Sequence, residues 1–500
     1  MPGLIKKKIK NVLLMYPPGK VLRGHFQHCE SPLGLAYLAA VIRNDFDVRI
    51  IDGRAKFQTI TSRKSKWDYY GYTLEEIIRK ITAYGPDVVG ISCLSSFHFP
   101  EISKLCRLIK KNDQKIITVL GGTHPTFLAE ETMSKNGDID FIILGEGEDS
   151  FKLLLQKIDT GQNYTDIDGL AFRKNGSFAI NPKTKFIKDL DVLPFPAIDL
   201  LPLKFYEKKG VPFSITFKSR KNASVLTSRG CTSKCIFCAT NNYWGNIYRG
   251  RSAKNVLDEI EVLVKQYGIK EIQFVDDNLT LDKKRARQIF QGIIDRRFKV
   301  YWSAPSGIAM WTIDEEMLEL MKASGCYEVN IPFESGNQEV LDKIIKKPLN
   351  LKHASSMAEK MKKLEIQVNG YFIAGLPGEK KEHILNTFDF AKKQDLDCAW
   401  FFIANPVPGS ELYEICKKKG FLKEDFSFED IAFDYANIET EDMSSREVEK
   451  LVLSQFNLYL LTLLFRHPIR FFKKFFTMIV THPVMTIRTT LADINRIIKQ

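Results

Sequence analysis

A chain of 500 residues is too long for one ordinary domain, and at 44% hydrophobic it has apolar material for two sizeable cores. Its net charge of +13 is uneven, because residues 451–500 hold seven basic side chains against one acid, Asp493. Nine thinly spread cysteines exclude a disulfide scaffold, no apolar run reaches the 18 or so residues of a membrane span, and residues 12–16 are too short for a signal peptide, so a cytoplasmic protein is expected.

Over residues 1–188, short β-rich runs alternate with helical patterns. Strands are expected at 11–16, 48–52, 87–93, 116–120 and 141–144, with helices at 33–44, 74–84 and 102–111. The alternation predicts an α/β domain with a doubly wound, Rossmann-like sheet, whose ligands bind beyond the carboxyl ends of the strands. Those ends carry Gly90, Ser92, Gly121, Gly122 and the run Gly145-Glu146-Gly147-Glu148. Three prolines between Pro194 and Pro202 mark 189–213 as a linker, since proline stiffens the chain and has no place in a central strand.

From residue 214 the alternation resumes. Strands at 223–227, 271–275, 300–304, 328–331, 367–373 and 398–404 are separated by helices at 255–267, 283–298, 315–324, 351–364 and 383–393. Six such units predict a partial (β/α)6 barrel over 214–417, with its site at the carboxyl ends of the strands. Residues 418–500 read as a basic helical segment, with helices at 444–465 and 471–500.

The first barrel strand runs into Cys231-Thr-Ser-Lys-Cys235-Ile-Phe-Cys238. Three thiolates on one loop can bind three irons of a cubane and leave the fourth open for a substrate. Zinc prefers four ligands, usually in paired spacings, and no second Cys or His cluster follows. Buried structural cysteines need no spacing, and the other six are scattered.

The CxxxCxxC spacing resembles that of the radical S-adenosylmethionine (SAM) superfamily. The resemblance implies a [4Fe-4S] cluster on Cys231, Cys235 and Cys238, with Phe237 packing near the adenine. It implies that Asp276 and Asp277 hold the methionyl amine, although two acids at a strand end can also cap the next helix. Glu334-Ser335-Gly336 is similar to the family's motif at the SAM ribose and carboxylate, and Gly375-Leu376-Pro377-Gly378-Glu379 and Pro406-Val407-Pro408-Gly409-Ser410 are similar to its later turns, with Gly375 a SAM contact. The implied chemistry is reductive cleavage of SAM to methionine and a 5′-deoxyadenosyl radical, which takes hydrogen from an unactivated carbon.

A doubly wound domain ahead of such a barrel resembles the cobalamin-binding members of the superfamily, among them magnesium-protoporphyrin monomethyl ester cyclases, hopanoid-modifying enzymes and methyltransferases. The matching stretches are 31–39, 121–126 and 145–148. Cobalamin contacts are expected from Ser92, Gly121, Gly122, His124, Gly145, Glu146 and Gly147. The DxHxxG motif that supplies an axial histidine elsewhere is absent, so His124 is expected to line the cavity rather than bind cobalt. A domain kept only as scaffold is the alternative.

The resemblance implies a cobalamin-dependent methyltransferase acting on a small, hydrophobic or lipid-like molecule, with a flavodoxin- or ferredoxin-type reductant. A radical oxidoreductase or cyclase is the second reading. A non-catalytic cobalamin or SAM sensor is the third; the intact cysteine triad opposes it, as does the lack of a DNA-binding motif, and no nucleic-acid partner is expected. Residues 456–498 interleave Phe and Leu with Lys and Arg. Three readings stay open there: a packing face on the barrel, a helix lying peripherally on the inner face of the membrane, or, least favoured, nucleic-acid binding through the same basic residues.

Overall fold

The computed structural model describes residues 5–469, apart from 24, 26, 62–65, 175, 211–215 and 433–434, together with 472 and 476. The expected helix at 471–500 therefore lies outside the described residues except at Phe472 and Phe476. The chain divides into two compact units between residues 212 and 213.

The first unit is a seven-stranded sheet. Five parallel strands lie in the order Phe141–Ile143, Ile117–Gly121, Val88–Ser92, Asn11–Tyr16 and Asp47–Asp52. Asn11–Tyr16 is buried on both sides, since Val12 and Leu14 enter one apolar cluster and Leu13 and Met15 the other. That two-sided burial is why it reads as a continuous apolar run. The winding reverses between Asn11–Tyr16 and Val88–Ser92, which makes that crevice the expected ligand position of a doubly wound sheet. Helix Leu74–Tyr84 starts at a Thr73–Glu76 capping box and stops at left-handed Gly85.

Three features of this unit were not expected. Leu170–Lys174 and Ser177–Ile180 extend the sheet antiparallel at one edge. Gly19–Leu22, Trp67–Tyr70 and Thr59–Thr61 form a small antiparallel sheet. The proline-rich stretch expected as a linker is packed into the unit as far as helix Leu203–Lys209: Ala197 is buried and donates to the Ala36 carbonyl, and Tyr206 donates to Asp52 at 2.8 Å.

The second unit carries six parallel strands in chain order: Asn222–Val225, Glu271–Phe274, Tyr301–Ala304, Cys326–Glu334, Gln367–Ala374 and Cys398–Ile403. Their outer face is apolar, with Phe372 stacked on Phe333 and Phe401, and Phe388 stacked on Phe401. Helix Ser445–Arg466 lies on that face, placing Phe456 and Tyr459 against Phe401. It is the only described helix long and apolar enough to cross a membrane. The sequence expectation counted uninterrupted apolar residues and found no such segment. One face of the helix, through Val448, Val452 and Tyr459, is buried in the unit, and a core-packing helix acquires the same composition.

Candidate functional site

The cysteine loop is held from several sides. Gly230, ahead of Cys231, adopts φ 89°, and a Cβ there would fall 2.1 Å from the Ile247 carbonyl oxygen. Only glycine suits that turn. Asp277 accepts from the Gly230 N–H, and Asn241 donates to the Ser233 carbonyl. Buried Ile236, between the second and third cysteines, donates its N–H to Ile345 and accepts from Leu412. Ile345 ends the π-helical turn Val340–Ile345, an irregularity common at functional sites.

Cys231 Sγ accepts from the Ser233 N–H at 3.5 Å and from Asn278 at 3.7 Å. Burial pushes the Cys235 thiol up to about 12, with Lys347 opposing and Glu334, Cys238 and Cys231 adding to the rise, so these groups share one electrostatic neighbourhood. Cys238 is exposed, while Cys231 and Cys235 are half-buried. No three side chains among the described residues surround a single metal ion. A cubane asks for something else, one thiolate on each of three irons, and three cysteines on one clamped loop supply that donor set. Ser233 Oγ, Asn241 Oδ1 and Asn278 Oδ1, buried around the loop, have no partner. The fit to the cluster rests on the donor set, three thiols on one loop with the Ser233 N–H and the Asn278 amide donating to the first.

The expected SAM contacts divide. Asp276 is buried and spends its carboxylate on Thr227, through backbone and hydroxyl, and on the Ser228 hydroxyl. It pins the second strand to the first. Asp277 is exposed beside the loop and keeps acceptor capacity. Phe237 is half-buried. Glu334 ends the fourth strand in the left-handed region, φ 62°, and pairs with buried Lys347 at 2.8 Å. A strained non-glycine residue at a strand end marks a constrained position. Ser335 is fully buried against Thr387, and its hydroxyl holds the turn rather than facing a ligand. Gly375 adopts φ 87° and gives its N–H to Glu379.

Sequence reasoning missed Lys347, Glu379 and Asn278. Lys347 lies 13 residues beyond its partner, after an irregular turn, and no spacing rule reaches it. Glu379 shows in sequence only as the last residue of a turn, although a carboxylate four residues after a glycine is a recognisable way to close one.

In the first unit, half-buried Ser92 ends the strand at the switch point, and half-buried Gly121 and Gly147 stand at and just beyond the carboxyl ends of the next two strands on that side. Gly122 adopts φ 105°, where a Cβ would meet the Cys93 backbone at 2.6 Å. His124 is buried and stacked on Phe99 at 4.1 Å, with Nδ1 2.9 Å from Ser96 and Nε2 3.4 Å from Thr132. Burial lowers its pKa to about 4, so it is neutral, and both nitrogens are engaged. Gly145 gives its N–H to Thr126, and buried Glu146 accepts from Ile187. This edge fits a corrin held by backbone and small side chains without a histidine on the metal. His124 and Glu146 are buried and do not line this edge.

Residues 19–155 match the B12 binding domain and residues 225–391 the Radical SAM superfamily. By class, then, this is a radical SAM enzyme that carries a corrin-binding domain. A cytidylyl-2-hydroxyethylphosphonate methyltransferase of Streptomyces wedmorensis is 33% identical over 449 residues, covering 83% of each chain. An anaerobic magnesium-protoporphyrin IX monomethyl ester cyclase of Rubrivivax gelatinosus is 27% identical over 387 residues, covering 76% of this chain and 67% of that one. The structure of the radical SAM methyltransferase TsrM from Kitasatospora setae, with cobalamin and a [4Fe-4S] cluster bound, matches with a TM-score of 0.65 at 18% identity, over 83% of this chain and 79% of that one. The chain belongs to the cobalamin-dependent radical SAM enzymes, a family that includes methyltransferases and cyclases. Its cofactors are a [4Fe-4S] cluster, SAM and cobalamin.

Proposed function

We propose that the protein transfers a methyl group to an unactivated carbon of a small molecule, with a corrin-binding domain running through the proline-rich stretch to about residue 212 and a radical SAM domain from about residue 213 that includes helix Ser445–Arg466. The observation that carries the reading is the clamped three-cysteine loop, with Asn278 and the Ser233 N–H donating to Cys231 Sγ, in a chain whose first unit matches a B12 binding domain. With the cofactors bound, the cluster supplies an electron, SAM a carbon radical and cobalamin a methyl group. The protein's part is to bind and orient. Cys231, Cys235 and Cys238 hold three irons as thiolates, and Asn278 and the Ser233 N–H donate to the first. Asp277 receives the methionyl amine, the Glu334–Lys347 pair presents opposite charges to the rest of the methionyl group, and Phe237 packs near the adenine. Glu379 fixes the Gly375 turn. Ser92, Gly121, Gly122 and Gly147 bear the corrin, while His124 stays neutral behind them. Protein purified anaerobically with hydroxocobalamin should carry about one corrinoid per chain and form 5′-deoxyadenosine when reduced. A preparation that turns over fully without corrinoid would overturn the cobalamin part of the reading.

At the C-terminal end we propose peripheral contact with an anionic membrane. Phe465, Ile469 and Phe476 are 80%, 83% and 66% exposed, and Arg466, Arg470, Lys473 and Lys474 stand among them in the sequence. A cyclase reaction is the second reading of the chemistry, supported by the likeness to the Rubrivivax gelatinosus enzyme.

A further inference from the structure

The inner face of the barrel is unlike its outer face. Side chains alternate along a strand, so the neighbours of the apolar outer residues point into the lumen. Asn330 pairs in register with Asn369, and Tyr371 with Trp400. Asn369 Nδ2 donates to Asn330 Oδ1 at 2.9 Å, and Asn330 in turn donates to the Pro305 carbonyl at 2.7 Å and to the Tyr371 hydroxyl. Tyr371 donates to the Pro305 carbonyl at 3.0 Å. Within this network of three side chains the one amide atom left over is Asn369 Oδ1, which is buried and has no partner. On the same face, the half-buried rings of Trp400 and Phe402 lean against Tyr371, with centroids 5.3 and 5.6 Å away and planes tilted by 58° and 59°.

A buried acceptor without a donor costs free energy that a ligand N–H can recover. An aromatic wall attracts the flat face of another π-system. Alkyl chains gain nothing from the acceptor and leave it stranded. We propose that the lumen recognises a planar heteroaromatic group bearing an N–H donor, a nucleobase-like or indole-like ring, which lies face-on to one ring of the Tyr371, Trp400 and Phe402 group, edge-on to its neighbours, and donates to Asn369 Oδ1. This rests on the methyltransferase reading for the place of the site, and it replaces the hydrophobic or lipid-like substrate expected from sequence with a polar, ring-bearing one.

The test is equilibrium binding to the anaerobically reconstituted full chain by isothermal titration. Cytidine 5′-monophosphate and L-tryptophan are the ring-bearing probes, with ribose 5-phosphate and dodecyl phosphate as ring-free ones. Saturable binding of at least one ring-bearing probe is expected, with both ring-free probes weaker by tenfold or more (about 1.4 kcal/mol or more). Trp400→Leu and Asn369→Leu should each weaken the ring-bearing probe by a similar factor, and Phe402→Leu, a milder change at the wall, guards against misfolding in either. Iron content and thermal midpoint confirm that each variant is folded. The result that overturns the proposal is no binding of either ring-bearing probe, binding equal in all the variants, or tighter binding of dodecyl phosphate. Ring binding without any methylated product would instead leave this proposal standing and refute the methyl-transfer reading.

Discussion

Glu379 lies fully buried behind Gly375, with Oε2 accepting two backbone N–H groups and Oε1 unpartnered. Burial raises its pKa to about 7, against the pull of those N–H groups. A carboxyl whose pKa rises on folding contributes stability that is complete below its ordinary value of 4.5 and is lost as pH climbs through about 7. Chemical denaturation should therefore show the wild type losing on the order of 3 kcal/mol between about pH 4.5 and pH 8, as an upper figure, relative to Glu379→Gln. Parallel pH profiles for the two proteins would contradict the assignment. The cluster ligands give a sharper result. Cys231→Ala, Cys235→Ala or Cys238→Ala should each abolish 5′-deoxyadenosine formation, because a missing thiolate leaves an iron without its ligand. Cys29, Cys93, Cys106, Cys326, Cys398 and Cys416 should tolerate Ser or Ala with iron content unchanged, and loss of iron on replacing any of these six would count against the triad as the complete ligand set.

Helix Leu203–Lys209 depends on a buried ion cluster for its attachment. Asp52 accepts from Tyr206 at 2.8 Å and from buried Arg54, which also pairs with Glu30 at 2.6 Å. Asp52→Ala should destabilise the first unit by about 3–5 kcal/mol, because it leaves Arg54 short of countercharge inside the protein; a change under about 1 kcal/mol would mean that Glu30 suffices. At the other end of the chain, helix Ser445–Arg466 divides its surface between Val448, Val452 and Tyr459 on the barrel and an exposed flank that includes Leu458, Leu461 and Phe465. The barrel-packing reading holds for Phe456 and Tyr459, and the proposed membrane contact falls to the residues beyond. Chain ending after Phe465 should keep SAM cleavage and lose binding to phosphatidylserine vesicles at low salt. Equal vesicle binding by both chains would remove the membrane from the account. Strands buried on both faces, such as Asn11–Tyr16, were legible in sequence to the residue because composition alone marks them. The three- and four-residue strands Gly19–Leu22, Thr59–Thr61 and Trp67–Tyr70 were not, being too short to establish a period, and Gly19–Leu22 finds its partner Trp67–Tyr70 only across a long stretch of chain.

For the whole molecule, the glycines and cysteines of the site were readable because turn geometry and thiolate chemistry restrict what can stand there. The distinction between Asp276 and Asp277 was not readable: adjacent carboxylates look alike until the fold turns one toward Thr227 and leaves the other exposed. The polar lumen was hidden for a related reason, since Asn330, Asn369 and Tyr371 come together only when parallel strands set them in register. Methyl transfer and radical cyclisation use the same cluster and the same SAM, and they part only in the fate of the methyl group. The most direct measurement is therefore to incubate the reduced, cobalamin-loaded protein anaerobically with methyl-deuterated SAM and an extract of cells lacking the enzyme, then count 5′-deoxyadenosine and labelled product by mass spectrometry. The account predicts a product carrying the deuterated methyl group in roughly one-to-one ratio with 5′-deoxyadenosine; 5′-deoxyadenosine accompanied only by an unlabelled, oxidised product would contradict it.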